Sequence, residues 1–261
     1  MSKAREYIAD LAGRGIYHFT SEAMRRSLNV SPAAAKLASG RLAKQGLAVS
    51  PARGFYVIVS PEYKKLGCLP ADQFIPELMN ELKLSYYAGL LTAAQYYGAA
   101  HHRPQEFQVF VERNRRPIVC GAVRVGFIAN KRISGAPVRS FNTQRGTILV
   151  STVERTALDL VGYAHHAGGL DQVATILAEL ADQIDPDRLV TVAKTVPVPW
   201  TQRLGYLLEL VDAEEKGRLL KKYVREAARN TALLLPAEPI TGSTQSKDWR
   251  LCINADIEVD T

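Results

Sequence analysis

The chain contains few side chains in the patterns that catalysis or metal binding requires. Four of its five histidines form two adjacent pairs, His101–His102 and His165–His166. Adjacent side chains point apart on a strand or a helix, so neither pair can readily chelate a metal ion by itself. The sequence has no HExxH motif, no CxxC motif and no glycine-rich phosphate-binding loop. We therefore expect no metal site, no cofactor and no catalytic residue.

Asp256 and Glu258 would place two acids on one face of a strand, as a metal-dependent nuclease requires. Such an enzyme also needs a lysine at the end of a strand. Lys247 precedes a turn and fits this role poorly. An enzyme, either a nuclease or a modifier of a partner protein, is therefore the alternative, and a non-enzymatic protein is the expectation.

The chemistry that the sequence does support is the binding of a polyanion. Residues 1–59 hold nine basic against three acidic residues, and residues 101–145 hold nine against two. Residues 146–261 are acidic, with 12 basic and 17 acidic residues. Clustered cations are typical of nucleic-acid binding, and the alternative is incidental clustering that only aids solubility.

Composition sets the class of protein that carries these charges. The chain has 261 residues, of which 47% are hydrophobic and 23% charged, as expected of a globular protein with one or two domains. The longest uncharged stretch, residues 84–100, is interrupted by polar residues and is not a membrane span. The N-terminus has no apolar segment and the three cysteines are widely spaced, so we expect a cytoplasmic protein with reduced thiols.

The first basic block is carried by three predicted helices and a hairpin. Apolar spacing predicts a helix over 2–12, and Thr20 or Ser21 can cap a second one. Ser31 followed by Pro32 is typical of a helix start, and this third helix extends to Gln45. Two β-rich runs then flank the turn Pro51–Gly54. This order predicts a winged helix-turn-helix domain over residues 1–67.

In such a domain the third helix enters the major groove and the wing contacts the backbone or the minor groove. We predict that Ala34, Ala35, Ala38 and Leu42 form the buried face of the third helix. The opposite face is small or cationic, with Lys36 as its main candidate for base readout. The predicted DNA-binding residues are Thr20, Arg25, Arg26, Ser31, Lys36, Lys44 and Arg53. Protein contacts through the same module are the alternative.

Residues 68–261 are predicted to form a larger α+β domain, joined through a linker near Ser60–Gly67. Four alternating runs between Glu106 and Val150 predict strands, and helical patterns fill much of the rest. The second basic block would form a second polyanion-binding surface, and a solvated sheet face is the alternative. This predicted second basic surface comprises Arg113, Arg115, Arg116, Arg124, Lys131, Arg132, Arg139 and Arg145.

Five runs of residues resemble the AbiEi antitoxins of type IV toxin–antitoxin systems, in the order of that family. They are residues 53–63, 86–94, 105–110, 150–161 and 202–209. The resemblance implies a winged-helix DNA-binding domain joined to an antitoxin domain. It also implies a protein that represses its own operon at inverted repeats and counters a nucleotidyltransferase toxin without a stable complex. Protomers would bind the operator DNA cooperatively, and no membrane partner is expected.

One alternative shares the winged helix but not the toxin. In that case the protein would be a transcriptional regulator whose second domain senses a small ligand. The third helix also has few side chains that could hydrogen-bond to base edges, because Ala33 and Gly40 on its outward face carry no donor.

Overall fold

The computed structural model of the chain describes residues 2–99 and 105–259. The helices in this part are α1 (Lys3–Gly13), α2 (Ser21–Leu28), α3 (Pro32–Lys44), α4 (Ile75–Glu81), α5 (Leu90–Tyr96), α6 (Val153–Gly162), α7 (Leu170–Leu180), α8 (Pro186–Ala193), α9 (Val198–Leu210) and α10 (Glu214–Ala227). The strands are β1 (His18–Thr20), β2 (Ala48–Ala52), β3 (Phe55–Ile58), β4 (Tyr86–Ala88), β5 (Phe107–Val111), β6 (Ile118–Cys120), β7 (Val123–Ala129), β8 (Val138–Thr143), β9 (Gly146–Ser151), β10 (Ala232–Leu233), β11 (Thr244–Ser246) and β12 (Leu251–Ile253). This mixture confirms the predicted α+β class.

The strands form three sheets, with the orders β1-β3-β2, β6-β7-β5-β4-β9-β8 and β10-β12-β11. Contacts between residues divide the chain into two compact units. The first holds the described residues of Met1–Tyr87, Gln105–Ser134 and Ser140–Leu149. The second holds those of Ala88–Pro104, Gly135–Arg139 and Val150–Thr261. The predicted domain boundary between residues 67 and 68 lies inside the first unit.

The N-terminal helices pack around a small apolar core in the first unit. This core includes Met24 of α2, Leu42 of α3 and Ile58 of β3. Thr20 and Ser31 cap α2 and α3 as predicted, because their hydroxyl oxygens accept hydrogen bonds from backbone amides in the first turns. The strand β1 is an addition, since its residues were expected to open the second helix.

The buried face of α3 differs from the prediction at one position. Ala35 and Leu42 are buried, but Ala34 is exposed, and Ser39 occupies the core in its place. The Ser39 hydroxyl lies 3.4 Å from the sulfur of Met24, which gives this buried polar group a partner. A prediction of the buried face from the helical spacing of apolar residues could not identify a buried serine.

The β2–β3 hairpin packs on strands of the six-stranded sheet within the first unit. Its inward residues Phe55 and Val57 share a core with Val109 of β5, Ile118 of β6 and Val125 of β7. Burying large apolar side chains of this kind contributes about 1.5–3 kcal/mol each. The hairpin is therefore braced by strands that come much later in the chain.

The segment expected to be a linker is packed as well. The carbonyl oxygen of Leu66 accepts a hydrogen bond from the amide of Ala122 at 2.8 Å, and the next residues, Cys68 and Leu69, are fully buried. Gly121 lies so close to this segment that a Cβ would overlap the Leu66 carbonyl oxygen. The C-terminal end of the expected linker therefore packs against the turn between β6 and β7, whereas residues 61, 62 and 64–66 are exposed.

In the second unit, α6 is buried over nearly its whole length. Thr152 caps its N-terminus by accepting a hydrogen bond from the Arg155 amide, and Glu154 accepts one from the amide of Asp185 at 3.3 Å. Arg155 and Asp159 form a buried ion pair one turn apart, with Nε and Oδ2 separated by 2.9 Å. The attraction between the two groups offsets part of the cost of removing each charge from water.

The C-terminal residues form a small sheet. Residues 244–246 form β11, and residues 251–253 form β12, which lies between β10 and β11. Trp249 is fully buried, and Gly205 of α9 packs so closely that a Cβ there would overlap its ring. Among the described residues, no helix combines the length and apolar character needed to cross a bilayer.

Candidate nucleic-acid interface

The outward face of α3 is apolar near its start and cationic toward its end. Leu37 is 62% exposed, and Lys36, Arg41 and Lys44 are exposed beside it. Sequence reasoning selected Lys36 and Lys44 but missed Arg41. Its position four residues after Leu37 places it on the same face of the helix, and this spacing could have identified it.

The cations of α3 and of the hairpin turn are available to a partner. Within residues 2–99 and 105–259, no acidic side chain forms an ion pair with Lys36, Arg41, Lys44 or Arg53. Arg53 is exposed at the turn, which it forms together with Gly54, at φ +81°. Unpaired cations gain the most from a polyanion, because no existing contact must be broken.

Unlike the cations of α3, the two arginines of α2 have an acidic partner, Glu22. Arg25 donates to both carboxylate oxygens of Glu22, at 2.8 and 2.7 Å, and Arg26 lies 3.7 Å from the same group. The hydrogen bond from Arg25 lowers the pKa of Glu22, and the same contact raises the pKa of Arg25. Two arginines beside one glutamate leave this cluster with a formal net charge of one, less than its two cations would offer alone.

Thr20 and Ser31 are the N-terminal caps of α2 and α3. The oxygen of Thr20 accepts from the Ala23 amide at 3.0 Å, and that of Ser31 accepts from the Ala34 amide at 3.2 Å. Each hydroxyl keeps its own hydrogen, which can be donated to a phosphate.

The hairpin turn is fixed by local hydrogen bonds. The carbonyl of Gly54 accepts from the Ser21 amide at 2.9 Å, which joins the turn to the start of α2. The Ser50 hydroxyl lies 2.8 Å from the carbonyl oxygen of Ala52 and 3.0 Å from that of Phe55. Arg53 therefore projects from a restrained turn and not from a flexible loop.

Six residues of the predicted second basic surface are exposed in the first unit. Arg113, Arg115 and Arg116 lie between β5 and β6, and Arg124 lies on β7. Lys131 and Arg132 follow β7. The guanidinium of Arg115 lies 5.9 Å from the ring centre of Phe127, which positions it by a weak cation–π contact. These cations belong to the same compact unit as α3 and the hairpin.

The other two residues of that prediction are placed differently. Arg139 is exposed on β8, in the part of that strand assigned to the second unit. The Arg145 side chain is only 14% exposed, and it donates to Gln73 at 2.7 Å and to Glu62 at 3.0 Å. Its guanidinium also stacks 3.3 Å from the ring centre of Tyr17. Arg145 is therefore a structural tie, and its inclusion in an exposed surface is corrected.

No arrangement for metal chemistry occurs in the described residues. They contain no group of three or more His, Cys, Asp or Glu side chains that could hold a metal ion. His101–His102 lies outside the described residues, and His165 and His166 are exposed. Asp256 and Glu258 lie beyond β12 in irregular chain, so the expected strand face with two acids does not form.

A groove of about 380 Å³ lies between α8 and α10 in the second unit. Its walls combine the apolar side chains Val190 and Leu219 with Tyr223, and Lys194 and Glu226 line it as well. Neighbouring charges of both signs compensate each other there, so the groove has no strong preference for an anion or a cation.

Residues 87–210 match the family model of the AbiEi antitoxin C-terminal domain. The match confirms the resemblance to the AbiEi antitoxins over this part of the chain, and the run at residues 53–63 lies outside the matched region. Among solved structures, the RV2827C protein from Mycobacterium tuberculosis is similar in fold, with a TM-score of 0.68 and 16% sequence identity over 95% of this chain and 90% of that one. No curated protein sequence matches the chain.

Proposed function

Because residues 87–210 form an AbiEi antitoxin C-terminal domain, we propose that this protein is the antitoxin of a type IV toxin–antitoxin system. It counters a toxin of the nucleotidyltransferase class, without a stable complex, and represses its own operon by binding inverted repeats. It acts in the cytoplasm and catalyses no reaction. The family match carries the antitoxin role, and the unpaired cations of α3 and the hairpin support the DNA-binding role.

The DNA-binding elements in this proposal are the first three helices and the β2–β3 hairpin, acting as a winged helix-turn-helix. The helix α3 enters the major groove, and Arg53 at the wing contacts the backbone or the minor groove. Lys36, Arg41 and Lys44 project from α3 with no acidic partner in the described chain, which supports this docking. Thr20, Arg25, Arg26 and Ser31 contact phosphates at the edge of the groove.

The six exposed cations between Arg113 and Arg132 extend this footprint along the duplex. They belong to the compact unit that also holds the wing, and the shared core of β2, β3 and β5–β7 keeps them in a fixed relation to it. Adjacent protomers on an inverted repeat then cover more DNA and bind cooperatively. Competition for the polyanionic substrate of the toxin is the other use of these cations.

DNA binding is tested with the double variant Lys36→Glu and Arg53→Glu in the full chain. On a duplex from immediately upstream of its own coding sequence, the double variant should bind more weakly. The slope of log affinity against log salt should fall by about 0.9 for each phosphate that the variant no longer neutralises. Arg218→Glu, an exposed reversal on α10, is the matched control and should change neither quantity. Unchanged binding by the double variant in a gel-shift titration would refute the assignment.

The antitoxin role is tested by co-expression with the adjacent reading frame, which under this proposal encodes a nucleotidyltransferase toxin. Wild-type protein should restore growth and silence a reporter under its own promoter. The double variant should still restore growth but should release the reporter, because residues 1–67 bind DNA and residues 68–261 counter the toxin. Repression without rescue by the wild type would instead favour the ligand-responsive regulator. Point variants suit this test better than a truncation near Ala71, which would strip Phe55 and Val57 from the shared core.

A further inference from the structure

Apart from Lys36, the exposed residues in the first half of α3 carry no hydrogen-bonding side chain. Pro32, Ala33 and Ala34 are exposed at its start, and Leu37 follows at 62% exposure. Ala33 and Ala34 lie four and three residues before Leu37, so the three side chains adjoin on the helix surface. Scattered exposed apolar residues need no explanation, but a contiguous apolar strip on a helix otherwise rich in cations does.

Packing within the protein does not account for this strip. The N-terminal core takes Leu42 from α3 and the partly buried Ala38, but Leu37 contributes nothing to it. The opposite face of the helix, with Ala35 and Ser39, already fills the interior. The strip is therefore an outward surface, and it stands where a recognition helix contacts base edges, near its N-terminus.

Only one group on a base edge in the major groove suits such a surface. Side chains without donors or acceptors cannot pair with the oxygen and nitrogen atoms of guanine, adenine or cytosine, whereas the C5 methyl group of thymine makes apolar contacts. We propose that Leu37, together with Ala33 and Ala34, reads thymine methyl groups in the operator. This inference rests on the DNA-binding role proposed above and adds the class of base that the helix selects.

The cations further along the helix have a complementary task. Arg41 and Lys44 follow Leu37 by one and two turns and are exposed without an acidic partner in the described residues. They supply affinity through phosphates, which carry no sequence information directly. Leu37 thus determines which duplex is bound, and the cations determine how tightly any duplex is bound.

Thymine can be replaced by deoxyuracil, which removes the methyl group and keeps every hydrogen bond of the base pair. The full-length chain is titrated with the upstream duplex and with copies carrying deoxyuracil at single positions of the protected site. Wild-type protein should lose about four-fold in affinity for each contacted methyl group, the value expected for one buried carbon group. Leu37→Ala should bind the thymine duplex more weakly and should no longer distinguish it from the deoxyuracil duplex.

Two matched variants separate this inference from simpler explanations. Val119→Ala removes a valine of β6 that is 63% exposed and should leave the discrimination unchanged. Arg41→Ala should weaken binding to both duplexes equally and reduce the salt dependence. Retention of wild-type discrimination by Leu37→Ala, or the absence of any deoxyuracil effect in a protein that binds the site, overturns the inference alone. Wild-type protein that binds the upstream duplex no better than an unrelated one overturns the DNA-binding proposal as well.

Discussion

Replacement of Gly121 by alanine should destabilise the protein far more than the same replacement at Gly15. Both glycines lie in the first unit at positive φ, +59° and +75°. An alanine in this left-handed region costs about 1–2 kcal/mol at either position. At Gly15 a Cβ would meet no atom within 4 Å, so this strain is the whole expected cost.

At Gly121 the added carbon would overlap the carbonyl oxygen of Leu66 and lie 2.9 Å from the Cα of Gly67. Both obstacles are backbone atoms, so they cannot rotate away as the end of a side chain can. The segment must shift, which breaks the hydrogen bond from Ala122 to Leu66, worth about 0.5–1.5 kcal/mol. Displacement of the well-packed residues that follow adds about 1–3 kcal/mol. The expected total is about 2.5–6.5 kcal/mol.

Equilibrium urea unfolding of the full chain, monitored by far-ultraviolet circular dichroism, gives the free energy of unfolding of each variant and of the wild type. Thermal unfolding monitored by the same signal gives the melting temperatures. For a protein of this size, each kcal/mol lowers the melting temperature by about 2–4 °C. Gly121→Ala should therefore melt roughly 10 °C lower, and Gly15→Ala only a few degrees lower. If the two variants differ by less than about 0.5 kcal/mol, close packing of the segment against the β6–β7 turn is refuted.

Three further predictions concern polar groups. Arg145→Lys should lower the free energy of unfolding by about 1–2 kcal/mol although the charge is kept, because an ammonium group cannot contact Gln73 and Glu62 together while stacking on Tyr17. An unchanged midpoint in urea would contradict the structural role of these contacts. Asp159→Asn should cost about 3–5 kcal/mol, because it leaves a buried charge on Arg155, and a destabilisation below about 1 kcal/mol would contradict this. Burial raises the pKa of Tyr97 to about 12, so the folded state holds its proton longer than the unfolded chain does. The stability that this group contributes is present below about pH 10 and is lost as the pH rises toward 12. Tyr97→Phe should flatten this alkaline decrease in melting temperature, and an unaltered profile would show that another group causes it.

The sequence predicted the elements whose signals are local. Ser31 and Pro32 mark the start of α3 because a cap and a fixed φ act within one turn. The strands β5, β6, β7 and β9 were predicted because apolar residues alternate along each of them. By contrast, β1 has three residues and depends on its pairing with β3, and β8 is exposed along most of its length and has no apolar alternation. Such strands are specified by their neighbours, which no local pattern reveals.

The residues of the candidate site also differ in whether a local pattern could predict them. Cations on α3 and at the hairpin turn could be located from helix spacing and turn chemistry, because both are local properties. Arg145 was assigned to an exposed surface from its charge, yet its partners Glu62 and Gln73 lie more than 70 positions earlier in the chain. Ser39 takes the core position that was predicted for Ala34, and Leu37 was assigned to neither face of α3, so its 62% exposure was not predicted.

Under the proposed DNA-binding role, the shared core of the hairpin and the large sheet limits how this module can be moved to another protein. Many DNA-binding modules can be exchanged between proteins at a flexible joint. Here a graft of residues 1–67 would expose Phe55 and Val57 and would leave Gly121 without the segment that it covers. Chimaeras should therefore carry β5–β7 along with the N-terminal elements. New operator preferences are better introduced by substitutions at positions 33, 34, 37 and 41 of α3, whose side chains face outward and leave both cores intact.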